Sequence, residues 1–417
     1  MNLFQLYVRI TSLVVAVVKV CDGETNVKRV SVSMQASVSA EQGPMGTITC
    51  SYTVTDSSYS FLVARWSKGD DFSNSQRLAS YIAGMPSPDY ADGTGSKYTM
   101  STDTIDSSTV LTITPLQFPS DEGRYWCYVQ FKKSGATTIN DQKSTSLTVV
   151  VLPKNITLHD SSGIYPSTDG TAYLVEGVDR EFTCTVPDIN PAASFIWTVD
   201  GEVLAPSSSS NVTDANELTT STSSITVTPN RSNHGQVLQC QASNMDSHAG
   251  INIRVTLDVK VPPSVSLSDD SSNPFTPGDW VGVNQGTPYT YTCTAQSRPA
   301  ATIQWFLGPD DTPQIGTTSP PTGSIGLINT RSAWTFNPGR ENHRQELKCV
   351  AINTVSQEPF LITLNVSGPP NTPSITGNDS PLTEDEQITL TCTADMGYPD
   401  DWKLEWSNGA SSLTGQG

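Results

Sequence analysis

Three times in this 417-residue chain a cysteine is followed 12 to 16 residues later by a tryptophan, and then by a second cysteine. The trios are Cys50, Trp66 and Cys127; Cys184, Trp197 and Cys240; and Cys293, Trp305 and Cys349. A fourth round opens with Cys392 and Trp406 and reaches Gly417 before any second cysteine. A pattern that recurs in this way describes a row of similar domains, each closing its own small core.

The residues between the trios read as strands. Short alternating runs rich in Val, Ile, Thr and Tyr recur between clusters of Ser, Asp, Gly and Pro, and helical periodicity is weak. Before each first cysteine the apolar residues share one face: Ile48 with Cys50, Phe182 with Cys184, Tyr291 with Cys293, and Ile388 and Leu390 with Cys392. Threonines hold the other face, so the apolar row is predicted to point into a sandwich. A second repeat follows in each complete unit: LTITP at Leu111–Pro115, ITVTP at Ile225–Pro229 and WTFNP at Trp334–Pro338. The proline lacks the ladder donor and should end the strand.

Units two and three are the closest to each other. Aligning Pro229 with Pro338 matches Arg231 with Arg340, Asn233 and His234 with Asn342 and His343, Gln236 with Gln345, and Leu238 with Leu347. It also matches Ala242 and Asn244 with Ala351 and Asn353, within the segments LQCQASN and LKCVAIN. Internal duplication explains this economically. Unit one differs: it carries DEGRYWC at Asp121–Cys127, and Cys127 comes 61 positions after Trp66.

These motifs resemble the immunoglobulin superfamily. Unit one is similar to a variable-set domain, and units two and three to the constant-type domains of the nephrin, Kirre and nectin-like adhesion proteins. The resemblance implies an all-β chain of tandem immunoglobulin-like β-sandwiches with one disulfide per complete domain. Cys50 would pair with Cys127, Cys184 with Cys240, and Cys293 with Cys349, and Trp66, Trp197, Trp305 and Trp406 would be core tryptophans. Each bridge would stabilise its domain by about 4 kcal/mol on the chain-entropy account, and would persist only outside the reducing cytosol. Tyr125 stands at a tyrosine-corner position, which Leu238 and Leu347 cannot fill. Lys97 stands where variable domains carry a base, which predicts an ion pair with Asp121. The long gap after Trp66 leaves room for extra edge strands, including Leu78 to Ile82.

The domain reading is a signal peptide over 1–23, a variable-type domain over 27–151, constant-type domains over 152–261 and 262–367, and the start of a truncated fourth domain over 370–417. Arg9 precedes an apolar run from Ile10 to Cys21, with cleavage expected after Gly23. That run is too short to span a bilayer of about 30 Å. The joints VLPKN, VPPS and SGPPN are short and proline-containing, which predicts a semi-stiff rod with the variable-type domain at its tip. Sequons at Asn155, Asn211, Asn230, Asn365 and Asn378 predict N-glycosylation of the later units and a bare first one.

The formal charge of −18 disfavours nucleic acid and anionic lipid as partners. The four histidines show no metal-binding spacing, no cysteine pair forms a zinc knuckle, and the GTGS segment at Gly93–Ser96 reads as a turn. Acidic doublets at Asp70 and Asp71, Asp269 and Asp270, Asp310 and Asp311, and Asp400 and Asp401 read as solvated turns, not a calcium loop. Catalytic residues, metals and cofactors are therefore not expected, and the chain is read as no enzyme.

Binding is the remaining class. With Trp66 and Cys127 facing inward, Phe61, Val63, Arg65, Trp126, Tyr128 and Gln130 are expected to alternate outward on one sheet of unit one. Large aromatics and arginine are the residues that anchor interfaces. The competing reading is that Trp126 and Tyr128 are covered by the extra edge strands and the loop Lys132–Asp141. The resulting expectation is a cell-surface protein that binds another cell-surface or extracellular protein, homophilically or heterophilically. An anchor beyond the visible chain would hold it in the membrane. The ectodomain of a receptor kinase or phosphatase, and a secreted matrix or immune-recognition protein, are the alternatives.

Overall fold

The computed structural model describes residues 30–135, 138–166, 170–309, 312–323, 326–377, 384, 387–394, 403–407 and 412–413. The signal-peptide expectation, Asn378 and the doublets at Asp310 and Asp400 lie outside these residues. Among the described residues no helix is long and apolar enough to cross a membrane.

The first unit is Met1–Leu152. Its strands are β1 (Val30–Ser33), β2 (Ser37–Glu41), β3 (Gly46–Val54), β4 (Ser60–Lys68), β5 (Gln76–Ile82), β6 (Asp89–Tyr90), β7 (Tyr98–Asp103), β8 (Ser108–Ile113), β9 (Gly123–Lys132) and β10 (Ile139–Val150). They form one sheet in the order β1-β3-β8-β7 and another in the order β2-β10-β9-β4-β5-β6. β5 holds the predicted Leu78–Ile82 run, and β6 adds a further edge. The alternation before Cys50 does what the sequence implies: every second residue of β3 from Gly46 to Tyr52 is buried and those between are exposed. Cys50 and Cys127 are joined, and the bridge lies with Trp66, Ile48, Leu111, Ile113 and Tyr125 in one core. β8 ends at Ile113, just before the threonine and proline that close the LTITP repeat.

The second unit is Pro153–Gly417. It holds two further sandwich cores, around the joined pairs Cys184–Cys240 with Trp197 and Cys293–Cys349 with Trp305. One strand, Ile251–Ser268, serves both. Its first part pairs with Val237–Ser243 of one sandwich, and from Ser264 onward it pairs with Tyr289–Arg298 of the next. The expected VPPS joint is thus a register shift between Val261 and Ser264 inside a continuous strand, where two prolines cannot donate to a ladder.

Side chains hold that crossing. Asn353 Nδ2 donates to the carbonyls of Val261 (2.9 Å) and Pro299 (3.3 Å), and the buried Arg298 donates to the carbonyls of Val259 and Gly326, both at 3.0 Å. In the preceding sandwich the equivalent Asn244 donates to Asn190 and Pro191 carbonyls, both at 3.1 Å. The asparagine that ends LQCQASN and LKCVAIN is therefore a clamp on the turn before the tryptophan strand, and Asn353 also reaches the joint at Val261.

The duplication extends to other contacts. Asn233 Nδ2 donates to Gln236 and Asn342 Nδ2 to Gln345, at 2.7 and 3.0 Å. Arg231 grips Glu176 with two nitrogens at 2.8 and 3.0 Å, whereas Arg340 Nε meets Gln285 at 3.3 Å. All three core indoles donate to a hydroxyl: Trp66 to Thr109 at 3.1 Å, and Trp197 to Ser223 and Trp305 to Ser332 at 3.0 Å. Each acceptor lies two residues before the first apolar residue of the LTITP-type repeat.

The fourth round departs from expectation. Ile388 and Leu390 are 40% and 47% exposed, not turned into a sandwich. Trp406 is half-buried in a two-residue strand, Trp406–Ser407, and belongs to none of the described cores. The reason is that the described strands here form two separate pairs, Ser374–Thr376 with Thr391–Thr393 and Trp406–Ser407 with Ser412–Leu413, with no facing sheet between them.

Candidate binding face of the first domain

The sheet containing β10, β9, β4 and β5 has an outer face on which Val63, Arg65, Trp126, Tyr128 and Gln130 meet. Arg65 lies opposite Tyr128, and Val63 opposite Gln130 and Ile82. Phe61 is a correction. The pairing of β4 with β9 slips between Phe61 and Val63, so Leu62 forms a bulge and the alternation breaks. Phe61 turns to the core side, stacked on Tyr52 at 5.9 Å between ring centres and edge-on to the buried Phe131 at 5.7 Å.

Trp126 and Tyr128 are partly covered. The cover is Phe72, from the turn between β4 and β5. Its ring is stacked on Tyr128 at 5.6 Å and lies 5.8 Å from Trp126. Local chemistry fixes the turn: Gly69 has φ +152, and a Cβ there would meet Ser75 Cα at 2.9 Å. Trp126 Nε1 donates to Gly69 O at 2.8 Å, the Asp71 carboxylate accepts from Ser73 N and Oγ at 3.1 and 2.9 Å, and Ser75 Oγ donates to Phe72 O at 2.7 Å. The signal for Phe72 was in the chain: it is the single apolar residue in the polar run Lys68–Gln76.

Arg65 completes the cluster. Its guanidinium carbon sits 4.5 Å from the centre of the Phe72 ring and 5.8 Å from that of Tyr128. Burial raises the Tyr128 phenol above its ordinary value, opposed by the Arg65 charge. Among the described residues no carboxylate or carbonyl meets Arg65, and its Nε is buried without an acceptor. Ring contacts of this kind contribute about 0.5–1 kcal/mol, while a buried donor left unmet costs about 1–3 kcal/mol. The cost outweighs the gain, so the isolated domain holds a donor that its own fold does not satisfy.

Beneath the face lies a support. Tyr125 Oη donates to Asp121 O at 2.8 Å, closing the corner, and Lys97 Nζ lies 2.7 Å from Asp121 Oδ1. The Asp121 side chain is 1% exposed and that of Lys97 29%. Gln117 N also donates to Asp121 Oδ2 at 2.7 Å. Lys68 Nζ donates to Ser120 O at 2.7 Å and sits 5.4 Å from the Tyr125 ring, and burial lowers its pKa.

The other sequence candidates are dispersed. Asn155, Asn211, Asn230 and Asn365 are all exposed. His234 Nδ1 accepts from Val259 N at 3.2 Å, beside Asp258. The Asp269 carboxylate accepts from Asn273 N and Nδ2 at 2.7 and 2.8 Å, which closes a turn. Among the described residues no group of three or more His, Cys, Asp or Glu is placed to hold a metal ion.

Comparison with known proteins agrees with this architecture. Residues 33–150 match the immunoglobulin V-set domain, and residues 166–250 and 276–359 match the CD80-like C2-set immunoglobulin domain. The chain belongs to the immunoglobulin superfamily. Mouse nephrin is 28% identical over 304 residues, covering 70% of this chain and 22% of nephrin. Mouse Kin of IRRE-like protein 2 is 30% identical over 150 residues, covering 35% of this chain and 20% of that protein. Human Cell adhesion molecule 4 is 25% identical over 197 residues, covering 46% of this chain and 44% of that protein. The chain thus spans about a fifth of the length of the nephrins it matches.

Proposed function

We propose that this chain is the extracellular recognition part of a cell-surface adhesion protein, and that it binds another cell-surface or extracellular protein through the outer sheet of its V-set domain. The observation that carries the reading is the Arg65, Phe72, Tyr128 and Trp126 cluster. Aromatics and arginine held rigidly on an exposed sheet have lost side-chain freedom before contact, which reduces the cost of association. Similarity to a protein named for cell adhesion supports the same class. The reading includes an N-terminal signal peptide, glycans on Asn155, Asn211, Asn230, Asn365 and Asn378, a first domain free of them, and a membrane anchor outside this chain.

Beads coated with the chain test it. They should adhere to one another or to cells bearing the partner. Tyr128→Asp, which puts a charge into the contact, should abolish adherence, whereas Thr99→Asp on exposed β7 of the opposite sheet should leave it intact. Equal adherence of both variants would overturn the proposal.

A further inference from the structure

Resting on that reading, we propose that Arg65 determines specificity by receiving the carboxylate of an aspartate or glutamate side chain carried by the partner protein. Arg65 differs from the other arginines of the described chain. Arg77, Arg180 and Arg231 face Asp89, Asp160 and Glu176, Arg298 is satisfied by carbonyls, and Arg340 meets Gln285 and the Pro369 carbonyl. Arg124, Arg254, Arg331 and Arg344 are exposed to water. Arg65 alone among them is half-buried with no hydrogen bond or ion pair, its Nε closed off from solvent.

Its surroundings select the charge of what meets it. The outer positions on the adjoining strands are Val63, Ser80, Ile82, Trp126, Tyr128, Gln130, Asn140, Gln142 and Ser144, none of them acidic, and Asp89, opposite Ser80 on the far side, is paired with Arg77. Asp70 and Asp71 precede Phe72, but both are exposed and the Asp71 carboxylate is taken up by Ser73. In a chain of net charge −18 this leaves an uncompensated positive spot on an otherwise neutral face. Phe72 and Tyr128 lie against the guanidinium and leave its terminal Nη groups, which unlike Nε are not closed off, for a carboxylate, the acceptor that a guanidinium fork matches. The aliphatic neighbours Val63 and Ile82 favour a protein side chain over the hydroxyl array of a sugar.

Peptide display tests this without the partner in hand. Displayed short random peptides are selected on the full chain, with the Arg65→Met chain used to remove those that bind elsewhere. The surviving peptides should share an aspartate or glutamate. Changing that residue to Asn or Gln, or Arg65 to Met, should each weaken binding about tenfold or more, with no further loss when both are changed. Arg65→Lys, which keeps the charge and loses the fork, should fall between. Survivors without a shared acid, or no survivors at all, would overturn the proposal. So would bead adherence that persists with Arg65→Met, or that is lost on sialidase treatment of the partner surface. Loss of adherence with Tyr128→Asp but not with Arg65→Met would retain the contact face and reject only the role of Arg65.

Discussion

Trp126 Nε1 donates to the carbonyl oxygen of Gly69 at 2.8 Å, and with Gly69 N donating to Arg124 O at 3.0 Å this bond ties the turn between β4 and β5 to β9. Through that turn it sets Phe72 over Tyr128 and beside Arg65. The candidate face is therefore not a bare sheet but a sheet with one aromatic lid whose position depends on an indole N–H.

Trp126→Phe keeps an aromatic ring and removes the donor. Loss of about 1 kcal/mol of stability is expected from one hydrogen bond. Hydrogen exchange over residues 69–75 should accelerate while β3 and β8 stay protected. Unchanged exchange in the turn would show that Gly69 is held by other contacts.

Lys97→Met removes the partner of a carboxylate that is almost fully buried. A fully buried pair broken on one side costs about 3–5 kcal/mol; the partial exposure of Lys97 places this case nearer about 2 kcal/mol. Denaturant unfolding of the full chain should show the V-set transition shifted and the others unmoved.

The two equivalent asparagines lie in different sandwiches, which isolates the role of Asn353 at Val261. Asn353→Ala and Asn244→Ala should each cost their own sandwich about 1–2 kcal/mol. Of the two, the Asn353 variant should loosen the crossing strand, because Asn353 reaches Val261 O. Residual dipolar couplings across residues 255–268 measure this, and equal effects of the two variants would contradict the joint role.

Acid should affect the duplicated Arg231 and Arg340 sites of the two C2-set sandwiches differently. Hydrogen bonding from Arg231 holds the Glu176 carboxyl below its ordinary value of 4.5, with desolvation opposing. A carboxyl depressed in the folded state adds stability above its unfolded value and loses it as pH falls through the lower folded value. The first C2-set sandwich should thus lose about 0.5 kcal/mol or less below pH 4.5, a surface-pair magnitude. Glu176→Gln should remove that contribution and leave that of Asp160, whose carboxyl is also held low, with desolvation opposing hydrogen bonds from Ser162 and Tyr165 and the Arg180 charge. The duplicate site has Gln285 facing Arg340 and should show none.

Much of the architecture was legible because it rests on spacing. The trios placed three disulfides and three buried indoles, and the alternation before Cys50, Cys184 and Cys293 gave the inward faces, since a period of two allows only two faces. Phe61 escaped because one extra residue at Leu62 inverts everything on one side of it, and a bulge leaves no mark in a hydrophobic pattern. Ile388, Leu390 and Trp406 show the converse: among the described residues no second sheet faces theirs, and the same pattern leaves them exposed or half-buried. The hydroxyls of Thr109, Ser223 and Ser332 sit at a fixed offset from the LTITP-type repeat, yet a lone Ser or Thr in a strand gives no hint that an indole needs it. Phe72 was visible as an oddity of composition, but only the fold shows what it covers.

Covalent footprinting of the bead-bound chain, before and after adherence, tests the central claim most directly. Labelling should fall at Val63, Arg65, Phe72, Tyr128 and Gln130 on contact, with Thr99 and Thr112 of the opposite sheet unchanged. Protection of the opposite sheet or of the C2-set sandwiches, with the β4–β9 face still labelled, would contradict the account.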